Sequence, residues 1–327
     1  MSSRRLLFRE FGNPSEVLEL NTVEEPPLEA GFCRVEALLA PINPADLNFV
    51  EGVYGKRPEL PAVPGVEGVV RVLEAPNGGS LKEGDLAIVP GFTGTWQEQF
   101  VLPAESLIVV PASVALEQLA MLKVNPPTAL LMLREFVDLQ PGDWVVQNGA
   151  NSAVGRCVIQ IAKKRRLRTL NVVRREELFS ELRDLGADAV VLDGENTIEE
   201  AKDLLAGESP RLALNTVGGD SALRLMALLG PGGEHITYGA MSLRSLKVPN
   251  RFLIFDDIHI RGFWVTRWME RVSMEQVKTV FEELSEMMKR GELVMPVDQV
   301  FPLEDFRAAI ERAKEGGRNG KVLLKFC

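Results

Sequence analysis

Residues 143–175 read DWVVQNGANSAVGRCVIQIAKKRRLRTLNVVRR. An apolar run, WVVQN, stops at Gly149, and a helical pattern begins just after it. Val154, Cys157, Val158, Ile161 and Ala162 fall at the i, i+3, i+4, i+7, i+8 spacing of a helix packed on a sheet. A second β-rich run, RTLNVVR, follows. Strand, glycine turn, helix and strand in this order build a parallel sheet. The backbone amides at such a helix start, with the helix dipole behind them, suit a pyrophosphate. The match of QNGANSAVG to G-x-G-x-x-G is imperfect, because Ala153 stands in a glycine position, and a turn of this kind also serves as a plain strand–helix connection.

The alternation continues outward. EELFSELRDLGA, AVVLD, IEEAKDLLAG, RLALNTVGG, SALRLMALLG, EHITYGA and, after a longer excursion, HIRGFWV extend it to six strands with crossover helices. This predicts an α/β fold with a doubly wound, six-stranded parallel sheet of the Rossmann type. Its place among these repeats makes the glycine turn a dinucleotide site. Upstream, LLFREFG, CRVEALLA, GVVRVLE, DLAIVPG and EQFVLP are short β runs with turns at PNGG and KEGD and no intervening helices, which predicts a separate β-rich, barrel-like domain. Two helices and a closing strand, GKVLLKF, end the chain. The economical arrangement inserts a nucleotide-binding domain, residues 123–267, into a first domain made of residues 1–122 and 268–327.

The end of the second parallel strand selects the nicotinamide. An NAD site carries Asp or Glu there to bind the ribose hydroxyls. Here the sequence is NVVRREE, and Arg174 and Arg175 suit a 2′-phosphate, favouring NADPH. The competing reading pairs both arginines with Glu176 and Glu177.

Composition narrows the partners. A net charge of −9 argues against nucleic acid. KKRRLR, residues 163–168, lies at the C-terminal end of the first helix, where cations offset the dipole. No apolar run reaches the roughly 18 residues of a membrane span. Three cysteines at no metal-like spacing point to a reducing compartment, read as the cytoplasm, with a processed mitochondrial form as the other reading. His235 and His259, the only histidines, sit in strand-like runs and read as structural.

INPADLNFVEGVYGKRPELPAVPGVEGVV, residues 42–70, together with LKVNPPTALLMLREFVDLQPGDWVVQNGANSAVG, TLNVVR, PRLALNTVGG, HITYGAM and IRGFWVTRW, resembles the mitochondrial-type 2-enoyl thioester reductases. These belong to the zinc-independent branch of the medium-chain dehydrogenase/reductase superfamily, and the resemblance runs over nearly the whole chain. It implies a GroES-like catalytic domain, NADPH, a homodimer, and reduction of trans-2-enoyl-CoA or enoyl-acyl carrier protein. Where the zinc-dependent branch has a cysteine and a histidine ligand, this chain has Asn43 and Val66, neither a zinc ligand, so no metal is expected.

By the same resemblance Tyr54, in GVYG, matches the catalytic tyrosine. Asn125, Asn151, Ser152, Ala153, Val154, Arg174, Tyr238, Gly239, Ala240, Met241, Phe263, Trp264, Val265 and Lys321 match cofactor contacts, while Glu176 replaces a second arginine that Arg175 adjoins. Trp264 is also a candidate wall of the acyl slot beside the catalytic tyrosine, against ordinary core packing. The mechanism implied is hydride addition to the β-carbon, with Tyr54 bonding the enolate oxygen or protonating the α-carbon. Quinone reduction on the same fold and a non-catalytic NADPH-binding protein are the competing readings.

Overall fold

The computed structural model describes residues 2–89 and 91–326. The chain divides into two compact units, one of Met1–Val124 with Met269–Cys327, the other of Asn125–Trp268.

In the first unit, β1 (Ser2–Leu7) pairs antiparallel with β2 (Glu19–Glu24) across the short helix α1 (Pro14–Val17). The main sheet holds β3 (Phe32–Pro41), β4 (Val69–Glu74), β5 (Leu86–Ile88) and β7 (Ile108–Val109), with β6 (Gln99–Pro103) also on β3. Helices α2 (Pro44–Val50) and α3 (Leu116–Ala120) belong to this stretch. β3 is buried at nearly every position, as expected of a strand that pairs with three others. The chain returns to this unit at its end. After α11 (Met274–Lys289), β14 (Val297–Pro302) and β15 (Lys321–Lys325) flank α12 (Phe306–Lys314), and β15 pairs antiparallel with β3. One apolar core, including Phe8, Val35, Trp96, Phe100, Phe306 and Leu324, unites the early and late segments.

The second unit opens with α4 (Asn125–Glu135) and then alternates. The strands are β8 (Trp144–Asn148), β9 (Arg168–Val173), β10 (Ala189–Leu192), β11 (Leu212–Asn215), β12 (Glu234–Thr237) and β13 (His259–Gly262). Helices α5 (Ala153–Lys164), α6 (Leu178–Leu185), α7 (Thr197–Leu205), α8 (Gly219–Met226) and α9 (Asn250–Ile254) connect them, and α10 (Val265–Met269) leads out. All neighbours in the sheet are parallel. The spatial order is β10-β9-β8-β11-β12-β13, so the winding reverses between β8 and β11, where ligands bind in folds of this kind. The predicted helix face is buried. Arg156, Ile159 and Gln160 are buried as well, because α4 and α6 also pack on α5.

Candidate active site

The nucleotide half is built at the carboxyl edge of the parallel sheet. β8 is buried throughout and stops at Gly149, whose φ is 57°; a Cβ there would lie 2.5 Å from the Thr216 methyl. Ser152 caps α5, its hydroxyl accepting the Gly155 N–H at 3.1 Å, so the first-turn amides around Ala153 and Val154 remain for an anion. A Cβ on Gly155 would come within 2.5 Å of the Ala150 carbonyl oxygen, so glycine is required for the helix to start against the turn. Ala153, the departure from the glycine pattern, is the first helical residue and has no left-handed angle, so nothing there demands glycine.

The other predicted contacts gather along the same edge. Arg174 and Arg175 follow the end of β9. The Arg174 side chain is exposed and makes no ion pair among the described residues, whereas Arg175 stands 3.7 Å from Glu177. Tyr238, Gly239, Ala240 and Met241 follow β12, tied to β11 by Tyr238 N–H to the Asn215 carbonyl and Met241 N–H to the Thr216 carbonyl. Phe263, Trp264 and Val265 follow β13. The Phe263 ring meets Phe136 edge-on at 5.8 Å, and Val265 opens α10. Asn125 begins α4, which packs on α5.

Sequence reasoning missed the clamp at the reversal point. The Asn148 amide donates to Asn215 Oδ1 at 2.8 Å and to Ser221 Oγ at 3.0 Å, while its oxygen accepts the Thr216 N–H. The buried Asn125 Nδ2 has no hydrogen-bond partner among the described residues. Desolvation pushes the Tyr238 pKa up to about 12, against the opposing pull of Thr216 and Ser152. A buried polar atom such as Asn125 Nδ2 needs a partner, and a dinucleotide offers several. The residues therefore fit NADPH.

Tyr54 and Lys321 belong to the other unit. α2 ends at Val50, and Gly52 turns the chain with φ of 74°, its α-carbon so close to Phe11 that a Cβ would stand 2.8 Å from that ring. The Tyr54 N–H bonds the Asn48 carbonyl at 3.2 Å, and its ring leans on Phe92 with centroids 5.7 Å apart. Phe92 in turn packs on Phe49 at 5.7 Å.

The mitochondrial enoyl-[acyl-carrier-protein] reductase of Homo sapiens is 40% identical over 328 residues, covering 98% of this chain and 88% of that one. One from Caenorhabditis elegans is 42% identical over 323 residues, 95% and 92% of the two chains. The chain belongs to the mitochondrial enoyl-[acyl-carrier-protein] reductase family. Family models for the alcohol dehydrogenase GroES-like domain and for zinc-binding dehydrogenases match residues 29–112 and 185–324. The structure of an Etr1p/NADP/crotonyl-CoA complex superposes with a TM-score of 0.90 at 27% identity, with 100% of both chains covered. A Bacillus thuringiensis protein described as an NADPH:quinone reductase superposes at 0.93 with 28% identity, again over 100% of both. These matches bear out the doubly wound sheet with a GroES-like domain and the resemblance read from the motifs.

They also correct the cytoplasmic reading, since the reductases of this family named here are mitochondrial. Few cysteines at no metal-like spacing describe only a reducing compartment, and the mitochondrial matrix meets that description as well as the cytosol does.

Around Asn43 and Val66, in the other unit, the structure holds a buried polar cluster. Asn43 sits at the start of α2. Its Nδ2 donates to Glu67 Oε1 at 2.8 Å, and its Oδ1 accepts from Lys321 Nζ. Asp46 accepts the Asn43 N–H and the Val66 N–H, both at 2.7 Å. Glu67 Oε2 accepts the Val124 N–H at 2.9 Å. Lys123 donates to the carbonyls of Val66 and Gly91. Asp46 and Glu67 are wholly buried and Lys123 nearly so. Burial raises the Asp46 pKa to about 7 and raises that of Glu67, while it lowers Lys123 to about 8. Of these residues only Asn43, Val66 and Lys321 were singled out from the sequence. The available signal was charge inside otherwise apolar stretches, at INPADLN and MLKVNPP.

Proposed function

We propose that this protein reduces trans-2-enoyl thioesters with NADPH, Tyr54 acting on the substrate. The observation that supports this most is full-length similarity to enoyl-[acyl-carrier-protein] reductases combined with a tyrosine presented in the GVYG turn on an aromatic bed. Asn151–Val154 at the capped start of α5 would hold the diphosphate, Arg174 the 2′-phosphate, and Asn125, Tyr238–Met241 and Phe263–Val265 the remainder of NADPH that the nucleotide-binding unit contacts. When bound, NADPH supplies the hydride for the β-carbon. Negative charge then develops on the thioester oxygen. With Asn43 and Val66 at the positions of a cysteine and a histidine ligand, that charge is met by hydrogen-bond donors, Tyr54 first among them. The Tyr54 hydroxyl bonds the enolate oxygen or passes its proton to the α-carbon. Trp264 lines the acyl slot.

The assay is NADPH oxidation with crotonyl-CoA, dodecenoyl-CoA and a quinone. Turnover of the enoyl thioesters is expected, together with a fall of ~10²–10³ in kcat in Tyr54→Phe at unchanged NADPH affinity. Quinone turnover with idle enoyl-CoA would favour the second reading, which the B. thuringiensis likeness supports. No turnover with any of the three would favour a binding protein.

The active form is a homodimer through the nucleotide-binding unit. β13 is an edge strand, and the excursion before it exposes Ile254, at the end of α9, and Phe255, just after it, 68% and 80% accessible, while Phe252 of that helix is buried. A Candida tropicalis relative, the mitochondrial 2-enoyl thioester reductase Etr1p/Etr2p, is a heterodimer. Light scattering at micromolar concentration should return twice the 36.1 kDa chain mass, and a monomer mass would count against the dimer.

A further inference from the structure

The aromatic bed under Tyr54 is held by a buried cation. Lys123, 3% exposed, sends its ammonium to the carbonyl of Val66 and, at 2.7 Å, to that of Gly91. It also stands 5.9 Å from the centre of the Phe92 ring. Val66 is held from its other side by Asp46, and Glu67, the next residue, lies in the field of Lys123. One ammonium thus ties the PGVEG segment to the Gly91–Phe92 segment, and Phe92 is the ring on which Tyr54 rests.

A buried lysine is costly unless its charge and donors are matched, and an apolar side chain of similar volume often serves folding equally well. Here the donors go to two backbone carbonyls of loops. The Tyr54 turn is anchored by the Val53 and Tyr54 N–H groups on the Asn48 carbonyl and by the Tyr54 ring on Phe92, while Val53 itself is 72% exposed. We propose that Lys123 is a positioning residue for Tyr54, fixing the hydroxyl through the Gly91–Phe92 segment. It stands beside the place where a zinc-dependent relative has its metal, and it orders the loops there by charge-assisted hydrogen bonds.

The proposal rests on Tyr54 acting in the reaction, and a double-mutant cycle separates the two claims. Lys123→Met removes the charge and keeps much of the volume. It should lower kcat with crotonyl-CoA by about tenfold or more, since a misplacement of ~1 Å costs ~10²-fold, while NADPH affinity stays within twofold. In the Tyr54→Phe background the same change should cost no further turnover. A purely structural lysine would give losses that multiply. Multiplying losses, or a Lys123→Met enzyme with parental kcat, overturn the proposal and leave Tyr54 standing. A Tyr54→Phe enzyme with parental kcat overturns the reading of Tyr54 and this proposal with it. If Lys123→Met does not fold, Phe92→Leu takes its place in the cycle. It removes the ring and keeps the cation, and its loss of turnover should likewise vanish in Tyr54→Phe; a loss that persists there overturns the proposal.

Discussion

At the scale of single residues, we propose that Arg174 carries the cofactor choice. Its guanidinium is exposed at the end of β9 and has no ion pair among the described residues, whereas Arg175 stands near Glu177. A charge-assisted pair with the 2′-phosphate is worth about 1.5–3 kcal/mol, or roughly ten- to a hundredfold in affinity. Arg174→Ala should therefore weaken NADPH by that factor and leave NADH nearly unchanged, as read by fluorescence titration of both nucleotides; equal loss for both would make the arginine structural. Residues 151–154 and 174 can be proposed from the sequence because their chemistry is local: a glycine turn before a helix and cations at a strand end are visible in a few neighbouring letters. Asn125 and Lys321 came only through resemblance. The roles of Asp46, Glu67 and Lys123 were hidden, since burial of charge is a tertiary fact. The Asn43–Glu67 bond spans 24 residues and the Lys321–Asn43 bond 278.

At the scale of elements, periodicity found what it can find. The stripe on α5 marked a real buried face, yet the helix is covered on further sides by α4 and α6, so its polar Arg156 and Gln160 are buried as well. Arg156 remains satisfied by the Asn151 carbonyl and by Glu181 at 2.7 Å. α4 gave no periodic signal because nine of its eleven residues are buried, and a helix hydrophobic all round has no stripe. Two prolines near its start further disguised it, although proline is acceptable in a first turn. β2 and β14, with mixed burial, and β7, two residues long, carry little sequence signal; their identity comes from the strands beside them. The six parallel strands were legible because all have buried or half-buried apolar runs bounded by turns, except β13. That strand exposes His259, Arg261 and Gly262 and was legible mainly from the rhythm of the repeats before it.

At the scale of the molecule, the two units should answer acid in opposite ways. His235, in β12, is fully buried, and desolvation lowers its pKa to about 4. Between pH 6.5 and 4 the unfolded chain therefore binds a proton that the folded unit refuses. Its contribution is complete above the ordinary histidine pKa and is lost as pH falls, by up to about 3 kcal/mol for a shift of this size. Asp46, in the other unit, has its pKa raised to about 7. There the folded state binds the extra proton, so the contribution is complete below the ordinary carboxylate pKa and is lost as pH rises toward 7. His259 works against His235, its pKa raised by Glu234, but it is solvent-screened and its effect is small. Moving from pH 7 to 5.5 should thus loosen the nucleotide-binding unit and tighten the catalytic one. The lowered carboxylates Asp298, Glu304 and Glu311 are silent in that window, because both their folded and unfolded forms are ionised there. Hydrogen exchange read peptide by peptide, corrected for the intrinsic pH dependence of exchange, separates the units. His235→Asn, neutral at both pH values, should abolish the loosening of the nucleotide-binding unit and leave the response of the catalytic unit intact. If both units moved the same way, or if the Asn variant kept the acid loss, the buried imidazole would not be its source.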